Sequence, residues 1–144
     1  LGEPGRGLGG HPVRTPMAWD GSTHAGFSSA TPWLPLHVDW PVRNVESESA
    51  KPASMLSLYR ALLQLRRAGP ALSIGSIEVL DAGPDVLAYQ RRHGDSRLLI
   101  ALNFSEEQRP MPLPAGKLIL STIDLGAFDG MLRGNEGLIM QLEG

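Results

Sequence analysis

Apolar residues change their spacing along this 144-residue chain. Over residues 52–68, Met55, Leu56, Leu58, Tyr59, Leu62, Leu63 and Leu65 recur at helical intervals, with Ser57, Arg60, Gln64 and Arg67 between them. That pattern predicts an amphipathic helix with a wide apolar stripe. Ser49 is a candidate N-cap, and Pro52 is tolerated in a first turn. Arg66 and Arg67 fall at the C-terminal end, where the helix dipole favours cations, and Gly69-Pro70 stops the helix. So wide a stripe predicts a helix laid on a substantial core, with Tyr59 as a core residue.

After Pro70 the period falls to two. Ser76–Leu80, Val86–Arg91, Arg97–Phe104, Lys117–Ser121 and Gly137–Leu142 read as strands separated by Gly and Pro turns. Leu98, Ile100 and Leu102 should face one way along the third of these, and Leu99 and Ala101 the other. Both faces are then apolar, which predicts a central strand. Asn103 ends it, where its side chain can hydrogen-bond the turn backbone. One helix followed by five short strands predicts an antiparallel sandwich preceded by a different domain, with the boundary near Gly69-Pro70.

The first third of the chain shows neither period. Leu1–Gly10 carries five glycines and reads as a mobile lead-in. Pro12, Pro16, Pro32, Pro35 and Pro41 interrupt residues 11–48 too often for a continuous helix, so this stretch reads as a long loop. Loops of that length inside compact domains are usually functional. Arg14, Asp20, Trp19, Phe27 and Trp33 fall within it, and loops are where binding groups concentrate.

Composition narrows the chemistry. A chain 42% hydrophobic and 19% charged is globular rather than disordered. The net charge of −2, with Arg66-Arg67 and Arg91-Arg92 as short basic pairs, gives no case for a nucleic acid partner. Without cysteine there are no disulfides, thiolate metal sites or cysteine nucleophile. His11, His24, His37 and His93 have no metal-ligand spacing, so no metal is expected. No Gly-rich phosphate loop appears, so no nucleotide cofactor is expected either. No apolar run approaches the roughly 20 residues of a membrane span, so no membrane partner is expected. The opening Leu-Gly-Glu-Pro-Gly lacks a methionine and a basic-then-apolar run, which suggests a fragment, a processed product or missing upstream residues.

Several short motifs, taken in order, resemble one family. They are Arg14-Thr15-Pro16-Met17-Ala18-Trp19-Asp20, Ala25-Gly26-Phe27-Ser28, Pro32-Trp33-Leu34-Pro35 and Asn44-Val45-Glu46. The helix Ser54–Arg67, Pro70-Ala71-Leu72 with Gly75, and Ala101-Leu102-Asn103-Phe104-Ser105 continue the series. Together they resemble the C-terminal part of an α-glucosidase of the oligo-1,6-glucosidase type, in the α-amylase superfamily, glycoside hydrolase family 13. The resemblance implies an α+β piece: the long active-site-side loop and last helix of a (β/α)8 barrel, then a C-terminal antiparallel β-sandwich domain. Residues 1–69 would be the barrel part and 70–144 the β-domain.

The same resemblance implies a hydrolase acting on short α-linked glucosides with retention of configuration. A retaining enzyme needs two carboxyl groups about 5–5.5 Å apart. The family places them upstream of everything here, and no Asp or Glu in this chain sits in their sequence context. The chain by itself is therefore expected to be inactive. Trehalose synthase or another glucosyltransferase of the superfamily is an alternative, as is a non-catalytic sugar-binding or structural β-module. Arg14, Trp19 and Phe27 are the candidate substrate-binding residues of a complete enzyme. The guanidinium could grip a carboxylate or a sugar hydroxyl, or brace the loop against Asp20. The aromatic rings, Trp33 included, could stack on sugars or pin the loop down. The helix stripe would meet missing barrel elements or mediate association.

Overall fold

The computed structural model describes residues 14–112, 116–123 and 128–143. The lead-in Leu1–Gly10 lies outside them. The chain divides into two compact units, Leu1–Arg60 and Ala61–Gly144.

The first unit is irregular chain closed on a single-turn helix, α1 (Val45–Ser49), and followed by the start of α2 (Met55–Ala68). Asn44 caps α1 reciprocally with Ser47. The Ser47 amide donates to Asn44 Oδ1 at 2.8 Å, and the Asn44 amide donates to Ser47 Oγ at 3.2 Å. The expected cap at Ser49 is not formed, because Ser49 is the last residue of α1. Pro52 lies between the helices instead of in a first turn. The side chains that meet the free amides of α2 are Ser54 and Glu48: Ser57 N donates to Ser54 Oγ at 3.1 Å, and Leu56 N to Glu48 Oε2 at 3.3 Å. The helix stops at Ala68, as the Gly-Pro pair predicts. None of its residues is buried, and Tyr59 is 60% exposed, which corrects the expectation of a core tyrosine.

The second unit is built on a five-stranded sheet. Its strands are β1 (Ser76–Leu80), β2 (Val86–His93), β3 (Ser96–Asn103), β5 (Gly116–Ser121) and β7 (Gly137–Leu142), in the order β1-β2-β3-β7-β5. Every pairing among the described strands is antiparallel. Two further strands, β4 (Arg109–Pro110) and β6 (Met131–Leu132), pair with each other. At two residues each they are too short to show an alternation. A short helix, α3 (Pro70–Ser73), precedes β1, with Pro70 at its first turn. Gly75 follows it, where a Cβ would meet the carbonyl oxygens of Ala71 and Arg92.

β3 is the central strand that its two apolar faces predict, with Leu98, Leu99, Ile100 and Ala101 buried in succession. Leu99 and Ala101 join Ala88, Leu138, Met140 and Leu142 on one face, over Met111 and Leu132 beside the β4–β6 ribbon. Ile100 and Leu102 line a cavity on the other face with Leu62 and Leu72. Asn103 is a structural hub. Its amide donates to Glu107 O at 2.8 Å and Arg133 O at 2.9 Å, and its Oδ1 accepts from the Ser105 amide at 3.0 Å. Glu136, 2% exposed, accepts from Ser121 Oγ at 2.6 Å and the Arg133 amide at 2.8 Å. No sequence period singles out Glu136, since it sits one residue before β7.

Candidate functional site

Arg14–Asp20 and the residues after it form the candidate site, and the backbone explains how a stretch without secondary structure is held. The first amides of a helix have no partner within it. In α1 the Val45 amide donates to Ala18 O at 3.0 Å and the Glu46 amide to Trp19 O at 2.9 Å. The motif is thereby laid across the start of the helix. Trp19 N donates to Ala25 O at 2.8 Å, closing a loop of its own. Phe27 lies two residues beyond Ala25, the acceptor of that bond.

Loop closure depends on a left-handed turn. His24, Ala25 and Gly26 have φ of 57°, 58° and 63°. Gly26 is suited to that conformation, and a Cβ there would also run into the Asp20 carboxylate. Asp20 in turn accepts from the Ser22 hydroxyl and from the Ser22 amide, the latter at 2.8 Å. These bonds, the hydroxyl's first, hold the Asp20 carboxyl below its ordinary value of 3.8. Among the described residues no ion pair joins Arg14 to Asp20, whose partner is Ser22. The bracing alternative for Arg14 therefore has no support in the fold.

Trp19 and Phe27 are half exposed, and Trp33 is 85% exposed. Smaller groups of the loop are the buried ones: Ala25 is fully buried, and Leu34 is 8% exposed. Asn44 stands in the sequence reading only as part of a motif, where its structural role was missed. It is 6% exposed and, besides capping α1, donates through Nδ2 to Trp40 O at 2.9 Å. Its signal was the Asn-x-x-Ser spacing ahead of Val45.

Beside the motif lies a hollow of about 590 Å³ bounded by Met17, Ala18, Asn44, Glu48, Met55 and others. Arg14, Trp19 and Phe27 do not line it. All three are exposed. The acids of the loop are engaged in different ways. Asp39 lies 3.8 Å from both Arg43 and His37, and Glu48 faces the α2 amides.

The α-amylase catalytic-domain family matches residues 4–75, and a domain of unknown function, DUF3459, matches residues 75–136. The chain belongs to the α-amylase family, glycoside hydrolase family 13. It is 40% identical over 105 residues to a probable α-glucosidase of Rhizobium meliloti, covering 73% of this chain and 19% of that protein. It is 38% identical over 106 residues to a glucan 1,6-α-glucosidase of Streptococcus pneumoniae, covering 74% and 20%. With the oligo-1,6-glucosidase of Bacillus cereus it shares 33% over 103 residues, covering 71% and 18%. The chain thus spans about a fifth of the length of these relatives. Among solved structures, the trehalulose synthase of Pseudomonas mesoacidophila MX-45 superposes with a TM-score of 0.78 at 32% identity, over 90% of this chain and 25% of that one. The isomaltulose synthase of Klebsiella sp. LX3 gives 0.79 at 28%, over 89% and 25%.

Proposed function

We propose that this chain is the C-terminal part of an α-glucosidase that hydrolyses short α-linked glucosides with retention. The supporting observation is the set of relatives named α-glucosidase, glucan 1,6-α-glucosidase and oligo-1,6-glucosidase, at 33–40% identity across most of the chain. In this reading, residues 1–69 belong to the catalytic barrel, with α2 as its last helix. Residues 70–144 form the C-terminal β-domain, whose ribbon and sheet make a sandwich. Arg14, Trp19 and Phe27 border the sugar cleft, the guanidinium reaching a hydroxyl or carboxylate and the rings stacking on sugar faces. The α2 stripe meets other barrel elements or a second copy. The reacting carboxylates come from elsewhere in the barrel, so the chain alone is not the catalyst.

Glucosyl transfer is the second reading, and the likeness to trehalulose and isomaltulose synthases favours it. Hydrolysis and transfer share a glycosyl-enzyme intermediate and differ in whether water or a sugar hydroxyl accepts the glucosyl group.

A chimera tests the proposal. Residues 14–143 replace the matching stretch of the Bacillus cereus oligo-1,6-glucosidase, and products from isomaltose and sucrose are measured. Glucose release from isomaltose is the expected outcome, with Arg14→Lys lowering kcat/KM about 10- to 100-fold, because lysine cannot reproduce a two-pronged contact. A folded chimera that only rearranges sucrose would favour transfer. Turnover of maltose, isomaltose or an aryl α-glucoside by the unmodified 144-residue chain would sink the assignment of catalysis to residues outside it.

A further inference from the structure

The second unit holds a cavity that the glucosidase reading does not use. It measures about 360 Å³ and lies between the sheet and the helical segments above it. Ile100 and Ile139, 5% and 7% exposed, form its floor, and Leu62 and Leu72 its walls. Arg66 and Arg91 also line it. Among the described residues that line it there is no carboxylate.

The two guanidinium groups are fixed rather than floating. Arg91 Nε donates to Ala71 O at 3.0 Å, and Arg66 Nη1 donates to Leu72 O at 2.6 Å. Both bonds go to carbonyls of α3, and each uses one donor of a five-donor fork. The other donors have no partner to neutralise them among the lining residues. The volume falls at the lower end of the roughly 300–1,000 Å³ typical of small-molecule sites. Apolar walls with a few placed polar groups are the usual make-up of such sites.

We propose that this cavity binds a small amphipathic anion, a medium-chain carboxylate whose apolar body lies on Ile100 and Ile139 and whose head meets Arg66 and Arg91. The chemistry argues for both halves. An apolar body alone would leave two guanidinium groups facing an uncharged ligand. A head alone would leave the aliphatic floor against water. Arg91 is half-buried, so its contact with the head is better shielded from solvent than that of the exposed Arg66.

The test uses the full chain and three probes: octanoate, octanol and acetate. Methyl and amide NMR shifts are followed together with titration calorimetry. Octanoate should saturate shifts at Leu62, Leu72, Ile100 and Ile139, at least about tenfold more tightly than octanol, as expected for a charge-assisted contact. Acetate should be weaker still. Arg91→Gln should remove most of the difference between octanoate and octanol. Leu62→Phe, which narrows the cavity and keeps both arginines, should weaken octanoate and octanol together. Equal affinity for octanoate and octanol in the unmodified chain overturns the proposal. So do shifts centred on the exposed α2 residues in place of the cavity. The probe comparison needs no variant, so a substitution that fails to fold does not blunt it.

Discussion

At the scale of single residues, the candidate loop depends on groups that carry no sugar chemistry. Gly26 is the sharpest case. Its φ of 63° and its closeness to Asp20 leave no room for a side chain. Gly26→Ala should destabilise the first unit by about 1–2 kcal/mol, the cost of placing an L-residue in the left-handed region. Thermal unfolding, with faster exchange of the Trp19 amide, would show it; an unchanged amide would refute it. Asp20 makes a pH prediction. Its folded-state value is depressed, so the Ser22 contacts contribute stability above the ordinary value of 3.8, and that contribution is lost as pH falls through the lowered value. A carboxyl carbon titration should give a midpoint below 3.8, and Ser22→Ala should move it back up. A midpoint at or above 3.8 in the unmodified chain would contradict the hydrogen-bonding account.

At the scale of elements, the sheet was legible and the caps were not. Alternating or doubly apolar runs located β1, β2, β3, β5 and β7 to within a few residues, because each strand must bury a face. β4 and β6 escaped because a two-residue strand has no period. α1 escaped, within a stretch read as loop, because five residues show no helical period, and α2 was started too early because Ser49 and Ser54 are both chemically competent caps. Packing of the motif carbonyls against α1 selected Asn44 and moved the second start to Ser54. Asn103 was placed by sequence as a turn-binding side chain, and the fold extends its reach to Arg133, on the far side of the chain. Asn103→Ala should cost about 2–4 kcal/mol, because it strands two carbonyls and a buried amide at once. Asn103→Asp should fail similarly, since a carboxylate cannot donate. Denaturant midpoints would measure both, and a loss under 0.5 kcal/mol (about the effect of an ordinary surface change) would refute the hub.

At the scale of the whole molecule, the wide stripe of α2 predicts behaviour in solution. Met55, Tyr59 and Leu63 are 62%, 60% and 49% exposed. A contiguous apolar surface of this kind is usually an interaction site. The chain on its own should therefore self-associate. Tyr59→Ser with Leu63→Ser should return it to monomer while the strand signal in circular dichroism is kept. Sedimentation over a concentration series checks this. An unmodified chain that stays monomeric throughout would show that the stripe needs no cover.

The sequence by itself determined the family, the end of the helix just before Gly69, the order of the main strands and the centrality of β3. These follow from periodicity, from Gly and Pro, and from motifs that act within a few residues. Tertiary structure alone decided what the Asp20 carboxylate accepts from, which residues of the loop are buried, and where Glu136 is buried. Each of those depends on a partner's position in space. Asp20 accepts from Ser22, and among the described residues no ion pair joins it to Arg14; Ala25 and Leu34 are buried where Trp19 and Trp33 are exposed. A residue's type limits the bonds it can make, but burial and distance choose among them, and neither is written along the chain.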